Sequence, residues 1–182
     1  MPDHRLVKLV SAASILLLVA CGSPAQPVMI APGPPSLSLG IGDVSYQPLA
    51  DGQSAQVIHG PQGGYHIVVS LLATGIWPGT TGLPSAPDNP TTTLRAFRAS
   101  GAEFGLMTDN VNLLHSAYTL GSIATDAGAA SGVVLINRYL RLDTMTPASF
   151  AGERLLLRAE VVDRDGRTLS DEKHVIAIPP NN

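Results

Sequence analysis

Tyr65-His66-Ile67-Val68-Val69-Ser70-Leu71-Leu72 decides the fold class. Side chains of a β-strand alternate between faces, so every second residue shares a side. Tyr65, Ile67, Val69 and Leu71 then form one apolar face, and His66, Val68, Ser70 and Leu72 a more polar one. The same period-2 rhythm returns in residues 153–162. It sets Leu155, Leu157, Ala159 and Val161 inward, with Arg154, Arg158 and Glu160 outward. Val134, Ile136, Leu140 and Leu142 read as a further inward face, in which Arg138 is the odd member.

Turn chemistry supports strands over helices. Asp163-Arg164-Asp165-Gly166 predicts a hairpin joining the 153–162 strand to one over 167–178, because glycine accepts positive φ without steric cost. Asp51-Gly52 marks another turn, and shorter strands are expected over 54–59 and 92–99. Residues 113–120 are a weaker strand signal, and 100–126 are expected to hold an edge strand and loops. A helix over 148–160 is the rival for that region, since it holds good helix formers. Gly152 and the hairpin signal at Asp165-Gly166 argue against it. About seven strands with such turns predict an all-β fold, an immunoglobulin-like antiparallel β-sandwich. No repeat of solenoid period is present.

The N-terminus carries a different signal. Arg5 and Lys8 precede the run Ile15-Leu16-Leu17-Leu18-Val19-Ala20, which ends at Cys21, the single cysteine. A basic region, a short apolar run and small residues before a cut describe a secretory signal. The run is too short for a spanning helix, which needs about 20 apolar residues. Leu18-Val19-Ala20-Cys21 resembles the lipobox of bacterial lipoproteins. That resemblance implies a signal peptide over 1–20, cleavage before Cys21, and covalent lipid on Cys21. Gly22 follows the cysteine, and no aspartate stands there. In a two-membrane envelope this resembles an outer-membrane address. Residues 21–35 hold the lipidated cysteine and a proline-rich tether, and 36–182 the folded domain. Once Cys21 is acylated no thiol remains, so the domain is expected to stand without disulfides.

Composition narrows the function classes. The chain has 182 residues and net charge −3; beyond the signal it carries 9 basic and 13 acidic side chains. No lysine or arginine run is present, and nucleic-acid binding needs a basic face, so nucleic acid is excluded as a partner. Aromatic content of 4% does not suit a stacking surface for carbohydrate. No nucleophile elbow, zinc-protease motif or phosphate loop is present.

Four residues stand out as site candidates. His59-Gly60-Pro61-Gln62-Gly63-Gly64-Tyr65-His66 is a compact connection with a histidine at each end. Closing it as a hairpin would set His59 and His66 side by side, a start for zinc or copper completed by Met107, His115, His174 or a carboxylate. The plainer reading is a structural turn, with Gln62 bonded to loop backbone. Trp77, the single tryptophan, lies in a long loop over 74–90, as a partner anchor or as a plug at the end of the fold. Asp163-Arg164-Asp165-Gly166 lacks the further acidic positions of a calcium loop. The stretch Gly60-Pro61-Gln62-Gly63-Gly64-Tyr65-His66 also resembles a motif of uncharacterised secreted bacterial proteins. That resemblance spans roughly residues 40–178; it implies a similar sandwich and supplies no activity.

Three functional readings follow from the sequence. The first is a lipid-anchored cell-envelope protein with a non-catalytic binding or structural accessory role. It is held to the membrane through Cys21, needs no cofactor, and has an envelope protein as partner. The second is a periplasmic metal-binding protein using His59 and His66. The third is an enzyme with a site assembled from loops.

Overall fold

The computed structural model describes residues 33–60, 63–80, 86–108, 119–125, 128–144 and 146–180. For residues 106–108, 119–125 and 128–131 the backbone alone is described. Among the described residues ten strands are present: β1 (Ser36–Ile41), β2 (Gln47–Pro48), β3 (Gln53–His59), β4 (Tyr65–Thr74), β5 (Thr91–Arg98), β6 (Glu103–Thr108), β7 (Thr119–Thr125), β8 (Gly128–Leu142), β9 (Arg154–Val162) and β10 (Thr168–Ile178). A 3₁₀ turn, Pro147–Ser149, precedes β9. The region that offered a rival helix is therefore a turn and a strand.

The fold is all-β, but it is not a sandwich. The strands follow one another in the order β4-β3-β10-β9-β5-β6-β8, and β8 pairs back onto β4. Seven strands thus close into a barrel. Closure rests on an eight-residue antiparallel ladder in which Tyr65 faces Leu142, Ile67 faces Leu140 and Ala73 faces Val133. The sheet is also mixed, because β3 and β10 run parallel, with Val175 opposite Gln53 and Ala177 opposite Ala55. Closing a sheet removes edges that a sandwich leaves open. Alternation along each strand looks the same in both architectures, because one face is buried either way. The immunoglobulin-like expectation failed at strand partnership, which alternation does not encode.

The barrel interior is filled. Val57, Ile67, Val69, Leu71, Leu94, Leu135, Leu140, Leu155, Leu157, Val161 and Val175 are all 2% exposed or less and belong to one cluster. Each such side chain contributes roughly 1.5–3 kcal/mol by leaving water. The interior is a core, with no lumen lined by these residues.

Three local devices shape the wall. The seam between β6 and β8 is narrow: Gly105 faces Leu142, and Asp143 N–H donates to Phe104 O at 2.7 Å. A Cβ on Gly105 would stand 2.6 Å from Arg141 O, so only glycine permits this approach. A bulge lies in β8, where Val69 faces Arg138 but Leu71 faces Leu135, and Asn137 takes φ of 61°. This extra residue changes the phase of β8, while Arg138, opposite Val69, keeps the phase of Leu140 and Leu142 and is half-buried. Val133 and Leu135 face the core on one side of the bulge, and Leu140 and Leu142 on the other. Val134 and Ile136, expected inward, instead form an outer cluster with Tyr46 and Leu72. Finally, β1 extends the wall beside β4 beyond the end of β3. There Leu39 N–H donates to the Asp171 carboxylate at 2.7 Å, so a side chain from β10 supplies an acceptor that backbone pairing does not.

Candidate functional site

The antiparallel run β10-β9-β5 aligns outward residues across three strands. Phe97 faces Leu156, and Leu156 faces His174, giving a row that crosses the outer wall. The neighbouring row sets Arg95 against Arg158, and Arg158 against Glu172. On the other flank Arg154 faces Ile176, which is 38% exposed. A cleft of about 710 Å³ lies over this area, lined by Phe97, Arg98, Ala99, Gly101, Arg154, Leu156, Arg158 and His174. That volume falls within the range of small-ligand sites.

The floor of the cleft is apolar and its walls are cationic. Phe97 and Leu156 are half-buried. Arg158 places its guanidinium carbon 5.2 Å from the Phe97 ring centroid. Arg98 lies 3.8 Å over Phe104 and is held by Glu153 and by the Ser149 carbonyl, so its position is fixed. Arg154 is the loosest of the three, 61% exposed with one carboxylate contact at 3.9 Å, to Asp51. Asp51 in turn accepts the His174 backbone N–H at 2.8 Å, and its Oδ1 lies 3.3 Å from His174 Nδ1. The backbone hydrogen bond from His174, aided by the imidazole and by Arg154, holds the Asp51 carboxyl below its usual range. No carboxylate lines the cleft, in a chain whose net charge is −3.

The sequence candidates fall elsewhere. His59 pairs with Tyr65, and His66 pairs with Ile58, so the two imidazoles leave the sheet on opposite faces. They are not side by side. The His59 ring packs on Tyr65, 5.2 Å between centroids. The His66 ring sits edge-on to Tyr139, 5.8 Å away, and over Gly60. Burial, then the positive charge of Arg141 and of His59, lower the His66 pKa. These surroundings disfavour the protonated imidazole. Among the described residues no three His, Cys, Asp or Glu side chains form a metal-sized cluster. His174, offered as a completing ligand, is engaged with Asp51 instead. Cys21, Gln62, His115 and the Met107 side chain lie outside the described residues.

Trp77 ties two loops together. Its Nε1–H donates to Asp88 Oδ2 at 3.1 Å, and Arg164 stacks 4.1 Å above its ring. Arg164 belongs to the hairpin turn between β9 and β10, in which Gly166 N–H donates to Asp163 O and Asp163 Oδ1 accepts the Asp165 and Arg167 N–H groups. The 163–166 segment is thus the hairpin turn that its sequence predicts.

Sequence reasoning placed Arg154 and Arg158 outward but not the cleft. The available signal was Leu156, an apolar residue on an outward face between two arginines. Phe97 and His174 come from strands 59 and 18 residues away from it, and only the pairing register brings them together. No protein-family model matches the chain, and no curated protein matches it significantly.

Proposed function

We propose that this protein is a lipid-anchored cell-envelope module whose role is non-catalytic binding, exercised on the outer β5-β9-β10 face. The observation that carries this reading is the contrast between a filled barrel interior and an arginine-walled cleft outside it. A packed interior leaves recognition to the outer surface. The anchor rests on the Leu18-Val19-Ala20-Cys21 signal, and a proline-rich tether of this length reaches some tens of ångströms at about 3.1 Å per residue. Two acyl chains hold a protein to a bilayer where one does not.

Two variants test the two halves of the reading. Cys21→Ser is expected to abolish lipid labelling and to release the protein from membranes after a high-salt wash. Retention of the serine variant would refute the anchor. A photocrosslinker at exposed Ala99, on the cleft rim, is expected to trap a discrete envelope partner or ligand in intact cells. The same probe at Val44, 83% exposed and outside the residues that line the cleft, should not. Equal labelling from both positions would refute the binding face.

A further inference from the structure

We infer that the β5-β9-β10 cleft is a site for an amphipathic organic anion: an oxyanion head, phosphate ester or carboxylate, carried on a short apolar body. The inference deepens the binding-face reading and rests on it. Four observations lead to this ligand class.

The first is a local conflict. Arg95 and Arg158 stand directly opposite each other on adjacent strands. Like charges in that position destabilise a sheet. Each has a carboxylate, Glu103 for Arg95 and Glu172 for Arg158, which offsets the repulsion without explaining why two arginines are there. A sequence that departs from local consistency commonly does so at a functional site.

The second is an account of hydrogen-bond donors. A guanidinium carries five N–H groups. Arg158 commits its Nε to Glu172, and Arg154 approaches Asp51 only at 3.9 Å, too far for a hydrogen bond. Among the described residues, the outer nitrogens of Arg158 and all those of Arg154 have no acceptor. These two side chains flank Leu156 on the same face of one strand, and both line the cleft. Paired forks of this kind suit the oxygens of a phosphate or carboxylate.

The third is the floor. Phe97 and Leu156 form a half-buried apolar row at the base of the cleft. A bare inorganic anion would leave that row uncovered, whereas a short alkyl or aryl body would cover it. The fourth is the make-up of the lining. Three of the nine cationic side chains beyond the signal line this cleft together with His174, and no acid does. The carboxylates that pair with them, Glu153, Asp51 and Glu172, are not among the lining residues, so the lining offers N–H donors to a ligand and no acidic acceptor to an amphipathic cation.

Isothermal titration of the purified protein in phosphatidylcholine nanodiscs tests the assignment. The probes are hexyl phosphate, hexanoate, hexylammonium and inorganic phosphate. Saturable one-site binding of hexyl phosphate or hexanoate is expected, with inorganic phosphate at least about tenfold weaker and hexylammonium inert. Arg154→Ala is expected to weaken the organic anion about tenfold or more, with the melting temperature unchanged, since that side chain is 61% exposed. Arg158→Ala gives a second, independent loss. Replacing phosphatidylcholine with phosphatidylglycerol separates two sources of the same head. Competition with hexyl phosphate assigns the site to membrane headgroups, and unchanged binding assigns it to a soluble ligand. The proposal is overturned if neither organic anion binds, or if binding survives both arginine variants. A partner trapped from Ala99 without any anion binding would leave the binding face standing and remove the ligand assignment.

Discussion

Tyr46 shows how a single residue is tuned by the wall it lies on. Its ring covers Gly40 of β1, where a Cβ would be only 2.4 Å away, and packs with Val134, Leu72 and Ile136 on the outer surface. Its hydroxyl donates to the Leu39 carbonyl at 3.3 Å. Burial, followed by the nearby Asp171 charge, raises its pKa from 10.0 to about 12. A raised folded value means that the unfolded chain loses its proton first. Stability from Tyr46 is therefore complete below pH 10 and is lost as pH rises towards 12, a loss of roughly 2–3 kcal/mol for this change in pKa. Melting curves between pH 9 and 12 are expected to show this decline in the wild type and a smaller one in Tyr46→Phe. Parallel declines would show that Tyr46 is not the group responsible.

At the scale of elements, two glycines mark where turns and seams depend on a missing side chain. Gly64, just before β4, has φ of 81°, and a Cβ there would meet nothing closer than Arg141 Nε at 4.0 Å. Gly64→Ala therefore costs only backbone strain, about 1 kcal/mol, or roughly 3 °C in melting temperature. Gly105 has ordinary φ, but its Cβ would strike the Arg141 carbonyl at 2.6 Å and Leu142 at 3.2 Å. Gly105→Ala is expected to cost about 2–3 kcal/mol by overpacking and to expose the β6–β8 seam to amide exchange. An alanine at 105 milder than one at 64 would show that the seam is not tight. The β4 and β9 strands and the turn at 163–166 were legible in the sequence, because alternation and Asp-Gly chemistry are local. The β8 bulge was not, since one extra residue reverses the inward phase without leaving a signal in composition. The cleft escaped for a related reason. His59 and His66 drew notice by nearness in sequence, but β pairing sent them to opposite faces, while Phe97, Leu156 and His174 met through register alone.

At the scale of the whole molecule, closure ties the fold to the functional reading. A barrel whose interior is packed with leucine, isoleucine and valine has only its outer wall and its ends for recognition. The sequence led to two sheets because strand count and turn spacing are shared by sandwiches and barrels. The distinction lies in contacts such as Ile67 with Leu140, 73 positions apart. The parallel β3–β10 pair likewise joins opposite ends of the domain. Closure is therefore the claim on which the external binding face depends. A nuclear Overhauser map of backbone contacts tests it most directly. The account predicts, in one molecule, cross-peaks between Gly105 and Leu142, between Ile67 and Leu140, and between Ala177 and Ala55. Absence of the Gly105–Leu142 and Ile67–Leu140 contacts, with the β9–β10 and β5–β9 ladders intact, would mean an open sheet and would contradict the closed barrel.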